Sequence, residues 1–119
     1  MALILIADDE PTLARALARA FRSHEVVIVH SGEDALAACN EQQFDAVICD
    51  LMMPGVTGMD VHKHLEDAGS DLCARMVFMT GGDYTPEQTS FRRKLGERCL
   101  QKPLDIGRLR KLVESLVPA

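Results

Sequence analysis

The chain has 119 residues, 47% of them hydrophobic and 26% charged, and 13 Lys and Arg stand against 18 Asp and Glu for a net charge of −5. That is one domain's worth of ordinary globular composition, and its acidic balance argues against a nucleic-acid partner, because phosphate-binding domains carry a basic excess. No apolar run approaches the ~18 residues of a membrane span, and Met1-Ala2 leads into apolar sequence without the basic start of a signal peptide, so the chain is read as cytoplasmic, with no membrane partner.

"ALILIA" (2–7) is a short continuous apolar run, as expected of a strand buried on both faces. Pro11 favours a first helical turn, and Leu13, Leu17 and Phe21, with Ala16 and Ala20 beside them, mark a helix with one apolar stripe. "VVIV" (26–29) is a second strand. "SGED" (31–34) has the shape of a capping box and opens a short Ala-rich helix to about Cys39. "DAVICD" (45–50) is a third strand. "TGMD" (57–60) repeats the capping pattern and starts a helix with Val61 and Leu65 facing inward. "RMVFMT" (75–80) is a fourth strand. The polar segment 84–96 is a helix whose only large apolar residues are Tyr84, Phe91 and Leu95. "RCLQ" (98–101) is a fifth strand, and Ile106, Leu109, Leu112, Val113 and Leu116 stripe a last helix capped by Asp105.

Five strand-then-helix units predict one α/β domain, residues 1–119, with a parallel sheet covered on both faces. In such sheets functional groups gather at the carboxyl ends of the strands. There the sequence sets Asp8, Asp9 and Glu10 after the first strand, Asp50 at the end of the third, Thr80 and then Gly81-Gly82 at the fourth, and Lys102-Pro103 at the fifth. Each alone has a bland reading: acids suit a helix N-terminus, Thr80 suits a turn, and Lys102 suits the surface. Together they suit one chemistry. Carboxylates from two strands repel unless a hard cation lies between them, and Mg²⁺ takes such oxygen ligands. Asp50 is then a metal ligand and a candidate nucleophile toward phosphorus. Lys102 can neutralise a phosphoryl group, and the Thr80 hydroxyl can hold its oxygens. Gly81 and Gly82 leave room at the backbone. The four cysteines at 39, 49, 73 and 99 form no CxxC pair and are read as reduced, mostly buried thiols. His62 and His64, two apart, do not share a helix face for chelation.

The stretches "ADDEP" (7–11), "CDLMMPGVTGMD" (49–60), "MTGG" (79–82) and "LQKPLD" (100–105), in this order and spacing, resemble the receiver domains of two-component response regulators over essentially the whole chain. The resemblance implies a flavodoxin-like (βα)5 doubly wound fold with strand order 2-1-3-4-5. It implies that Asp50 accepts a phosphoryl group from a histidine kinase or a histidine phosphotransfer protein. Asp9 would bind Mg²⁺ directly, Asp8 through water, and the Met52 backbone carbonyl would be a further ligand. Thr80 would bond the phosphoryl group and move on activation, and Lys102 would pair with that group. The Lys102–Pro103 bond would be cis, and Pro54, Gly55 and Gly58 would shape the loop after the acceptor. The domain would be a signalling acceptor with self-catalysed dephosphorylation, not an enzyme acting on other substrates, and its two states would differ in affinity for a partner. The chain stops 17 residues past Lys102, so it is read as a single-domain regulator or as a receiver from a hybrid histidine kinase or larger regulator.

Two features depart from the family pattern. Cys99 stands where an aromatic residue is usual, three before the lysine, and Tyr84 is the candidate substitute. Arg92, Arg93 and Lys94 form a basic run, either the solvated face of a frayed helix or a patch for an acidic partner. Two other functions remain as alternatives. A haloacid-dehalogenase-type phosphatase would use Asp8 as nucleophile, but its second acid falls on Glu10 and the chain has no room for a cap. A receiver-shaped interaction module that is never phosphorylated is the other alternative: degenerate versions lose an acid or the lysine, this chain keeps them all, and Cys99 alone speaks for it. No G-x-G-x-x-G or P-loop motif is present to suggest nucleotide binding.

Overall fold

A computed structural model describes residues 1–82 and 85–118. Strands β1 (Leu3–Ala7), β2 (Glu25–Val29), β3 (Ala46–Asp50), β4 (Met76–Thr80) and β5 (Cys99–Gln101) alternate with helices α1 (Pro11–Ala20), α2 (Gly32–Glu41), α3 (Gly58–Asp67), α4 (Pro86–Leu95) and α5 (Ile106–Leu116). All strand pairings are parallel, in the order β2-β1-β3-β4-β5. The doubly wound sheet expected from the alternation is therefore present.

The apolar runs become central strands because both their faces are covered. Leu5, Val47, Cys49, Met76 and Phe78 point to a core shared with Ala35 of α2, Val61 and Leu65 of α3 and Leu95 of α4. Their neighbours Ile4, Ile6, Ile48, Val77 and Met79 point to the opposite core, with Ala14 and Leu17 of α1 and Leu109 and Val113 of α5. Each fully buried Leu, Ile or Phe contributes roughly 1.5–3 kcal/mol, so the two cores hold the sheet edge rigid where the site stands.

Local signals set the helix starts. Thr57 and Asp60 form the full capping box expected of "TGMD". At Ser31 only one half forms, the hydroxyl accepting from the Asp34 N–H at 3.0 Å, and α2 runs two residues beyond the expected Cys39. Asp105 caps α5 as expected. The polar α4 is capped at its start. Thr85 and Gln88 close a capping box, and Pro86 occupies its first turn. Two 3-10 segments, Asp71–Arg75 and Gly96–Arg98, carry no apolar periodicity and were not anticipated. They belong to the connections before β4 and β5.

The cysteines depart from expectation. All four are free, but only Cys49 is buried, and Cys39, Cys73 and Cys99 are half-exposed. Cys49 alone lies on a strand covered on both faces. His62 is buried. Its ring stands edge-on to Phe78 and Phe91, with centroids 6.0 and 5.3 Å away, so it packs as an aromatic between β4 and α4.

Candidate functional site

The parallel register brings the strand ends level. Ala7 pairs with Cys49 and Asp50 with Met79, so Asp8 and Asp50 leave the sheet side by side and Thr80 follows on the next strand. Carboxylate oxygens of Asp8, Asp9 and Asp50 all lie within 4.8 Å of one another. Asp8 is fully buried and Asp50 is 5% exposed, whereas Asp9 is open to solvent. From the other side Lys102, the residue after β5, reaches Asp50 Oδ2 at 3.3 Å and Glu10 Oε1 at 3.7 Å. Its own N–H donates to the Thr80 carbonyl at 2.8 Å, and Lys102–Pro103 is cis. Thr80 is buried at the end of β4.

Each buried acid is partly satisfied. The Glu10 N–H donates to Asp8 Oδ1 at 2.9 Å, while Asp8 Oδ2 is buried without a partner among the described residues. Burial raises Asp8 from 3.8 to about 6 despite that hydrogen bond, with the Asp50 charge adding to the rise. The Met52 N–H donates to Asp50 Oδ1 at 3.2 Å. Burial also raises Asp50, against the pull of Lys102 and of the Met52 N–H. An orphaned buried carboxylate oxygen beside two further carboxylates is costly without a cation. This oxygen-only donor set therefore fits Mg²⁺.

The loop after Asp50 is braced by its neighbours. A Cβ on Gly58 would stand 2.6 Å from the Asp50 carbonyl oxygen and 3.0 Å from Leu51 Cα, so only glycine lets α3 start this close to the end of β3. Glu33 of α2 accepts from the Val56 N–H at 3.2 Å and lies against Gly55. Sequence reasoning missed that bracket, because nothing local links position 33 to position 56. It also missed Glu10 as a partner of Lys102 and His30, whose Nδ1 lies 2.9 Å from the Asp8 carbonyl oxygen. Gln88 was missed too, although Thr85-x-x-Gln88 is a legible capping signal. It is 3% exposed, and its side-chain amide contacts Met52 Sδ. Tyr84, the candidate substitute for the absent aromatic, lies outside the described residues.

A doubly wound 2-1-3-4-5 sheet with three acids and a lysine converging at its carboxyl edge defines a receiver domain. The chain belongs to the response regulator receiver domain family of two-component signalling, which it matches over residues 4–114. It is 34% identical over 110 residues to the sensory/regulatory protein RpfC of Xanthomonas campestris pv. campestris, covering 89% of this chain and 15% of that protein. It is 27% identical over 119 residues to protein PilH of Pseudomonas aeruginosa, covering 98% of both. In structure it is similar to the receiver domain of the Francisella response regulator 1452, with a TM-score of 0.85 at 23% identity over 98% of this chain and 96% of that one. The chain thus spans a small part of one relative and nearly all of another. Among the described residues, no helix is long and apolar enough to cross a membrane.

Proposed function

We propose that the whole chain, residues 1–119, is a cytoplasmic phosphoacceptor and that Asp50 is the acceptor. The observation that carries this reading is the pairing of a nearly buried Asp50 carboxylate with Lys102 on one side and the orphaned Asp8 carboxylate on the other. The phosphoryl group comes from the phosphohistidine of a histidine kinase or phosphotransfer protein. A bond forms between an Asp50 carboxylate oxygen and phosphorus as the nitrogen–phosphorus bond breaks, and the donor imidazole takes up a proton. Mg²⁺, held by Asp8, Asp9, Asp50 and the Met52 backbone carbonyl, supplies charge neutralisation when bound.

The chain's own groups do the positioning. Lys102, now 3.3 Å from Asp50 Oδ2, follows the negative charge onto the phosphoryl oxygens. The Met52 N–H holds Asp50 Oδ1 and so fixes the carboxylate plane. Thr80, at the end of β4, bonds a phosphoryl oxygen through its hydroxyl. Water later attacks phosphorus, the bond to Asp50 breaks and phosphate leaves. The signal is the shift between the two states, read by a partner that prefers one of them. Arg92 and Arg93 of α4 and Arg108 of α5 line a groove of about 630 Å³, which supplies the charge that an acidic partner would need.

The phosphatase reading is weaker here. The Lys102 ammonium stands 3.3 Å from Asp50 Oδ2, beside the carboxylate that this reading does not use as nucleophile. Intact mass after incubation with Mg²⁺ and a small acyl-phosphate donor tests the proposal. A gain of one phosphoryl group that requires Mg²⁺ supports an acceptor. No gain with Mg²⁺ bound returns the chain to an unphosphorylated interaction module.

A further inference from the structure

Asp8 is the most deeply buried acid of the cluster, and nearly every polar atom it has is held. Its N–H donates to the Val29 carbonyl at 3.1 Å, and its Oδ1 accepts from the Glu10 N–H at 2.9 Å. Its own carbonyl oxygen lies past the end of the ladder between β1 and β2, where the last registered pair is Ala7 with Val29. A side chain meets it there: His30 Nδ1 stands 2.9 Å from that oxygen. A carbonyl only accepts, so in the neutral ring it is Nδ1 that carries the hydrogen. Only Oδ2, on the carboxylate that borders Asp9 and Asp50, has no partner among the described residues.

The placement of His30 is itself constrained. It is the single residue between Val29, which ends β2, and Ser31, whose hydroxyl caps α2 by accepting from the Asp34 N–H at 3.0 Å. The carbonyl it holds belongs to the peptide joining Asp8 to Asp9. That group is planar, so fixing its oxygen fixes the direction in which the chain leaves for Asp9. Asp9 is open to solvent, so its placement depends on the backbone that carries it. We propose that His30 is a positioning residue: by holding the Asp8 carbonyl it fixes the peptide between Asp8 and Asp9 and sets both carboxylates for one divalent cation. This rests on the acid cluster as the cation site, whereas the hydrogen bond itself does not. A site set in advance binds more tightly, because less freedom is lost when the cation arrives. His30 acts through Asp8 and supplies no ligand.

Two measurements on the unphosphorylated full chain test this. The first is the tautomer of His30, read from its ring nitrogen NMR shifts at about pH 8, where imidazole is neutral. The Nδ1–H form is expected, and the Nε2–H form overturns the hydrogen bond and the proposal with it. The second is Mg²⁺ affinity, read by amide chemical shifts during titration, with urea midpoints of the metal-free protein beside it. Asn carries its amide nitrogen where Nδ1 stands, and Gln carries it where Nε2 stands. His30→Ala and His30→Gln weaken Mg²⁺ binding about threefold, the effect of one hydrogen bond of ordinary net strength, and His30→Asn retains it. A merely structural role would lower the urea midpoints and leave the affinity of the folded protein unchanged. Equal affinity in wild type and His30→Ala, or a loss in His30→Asn as large as in His30→Ala, overturns the proposal. A wild-type chain that binds no Mg²⁺ overturns the cation reading and the positioning role with it. A chain whose Mg²⁺ affinity follows His30 but which gains no phosphoryl group overturns Asp50 as acceptor and leaves the positioning role standing.

Discussion

Lys102 Nζ stands 3.3 Å from Asp50 Oδ2, although Lys102 follows β5 and Asp50 ends β3, with β4 between them. Burial works to lower the ammonium, but Asp50 and Asp8 outweigh it and hold Lys102 above its usual value. Lys102→Ala leaves Asp50 without its cation. The rate of phosphorylation by an acyl-phosphate donor then falls at least about tenfold, equivalent to about 1.4 kcal/mol of barrier. The Asp50 carboxyl also rises further, as read by carbon NMR titration. A rate unchanged in this variant removes Lys102 from the chemistry.

Asp8 sets a pH dependence of stability in metal-free protein. Its folded value, about 6, lies above the ordinary 3.8 because burial disfavours the charged form. Between those values the folded state holds the proton that the unfolded state has lost. Stability contributed by this group is therefore highest below about pH 4, falls as pH rises toward 6 and stays low above it, by up to roughly 3 kcal/mol. Asp8→Asn removes this component of the slope. Urea unfolding at pH 4, 5, 6 and 7, with and without the substitution, measures it.

On the proposed reading Mg²⁺ binds the same carboxylates. At ten times its dissociation constant it adds about 1.4 kcal/mol, or about 5 °C in melting temperature for a domain of this size. A chelator reverses the gain and Asp8→Asn abolishes most of it. Thermal melts in the absence of any phosphodonor show whether the acids bind the ion independently of the chemistry.

Gly58→Ala drives a methyl group into the Asp50 carbonyl oxygen, 2.6 Å from the Cβ position. α3 has to move away from β3. A destabilisation of about 1–3 kcal/mol is expected, the usual scale for overpacking, with slower phosphorylation because the loop carrying Met52 moves with it. Wild-type stability and rate in this variant would show that the close approach has no consequence.

Gly81 and Gly82 separate water access from backbone strain. Gly82 has φ +104°, and its Cβ would meet Gln101 Nε2 at 2.7 Å, whereas nothing among the described residues stands within 4 Å of a Cβ on Gly81. A larger residue at 82 therefore changes phosphate lifetime together with stability, costing about 1–2 kcal/mol. Gly81→Ala leaves stability nearly unchanged. Urea midpoints and hydrolysis rates of the two variants check both.

The architecture was legible because apolar runs such as 46–49 are covered on both faces and because caps at Thr57 and Asp105 are local signals. The acid cluster was legible for a related reason: a parallel sheet carries Asp8, Asp9, Asp50, Thr80 and Lys102 to one edge whatever the side chains between them. What stayed hidden depends on packing between distant segments. Glu33 meets Val56, His62 turns in between Phe78 and Phe91, and Gln88 reaches Met52. No periodicity records such meetings. The two 3-10 segments and the half-exposure of Cys39, Cys73 and Cys99 escaped for the same reason.

The most direct test locates the phosphoryl group. Protein treated with an acyl-phosphate donor and Mg²⁺ is reduced with borohydride, which converts an aspartyl phosphate to homoserine, and the peptides are sequenced by mass spectrometry. The account predicts homoserine at position 50 alone and none in Asp50→Asn. Homoserine at position 8, or at no position in protein that has gained phosphate, would contradict it.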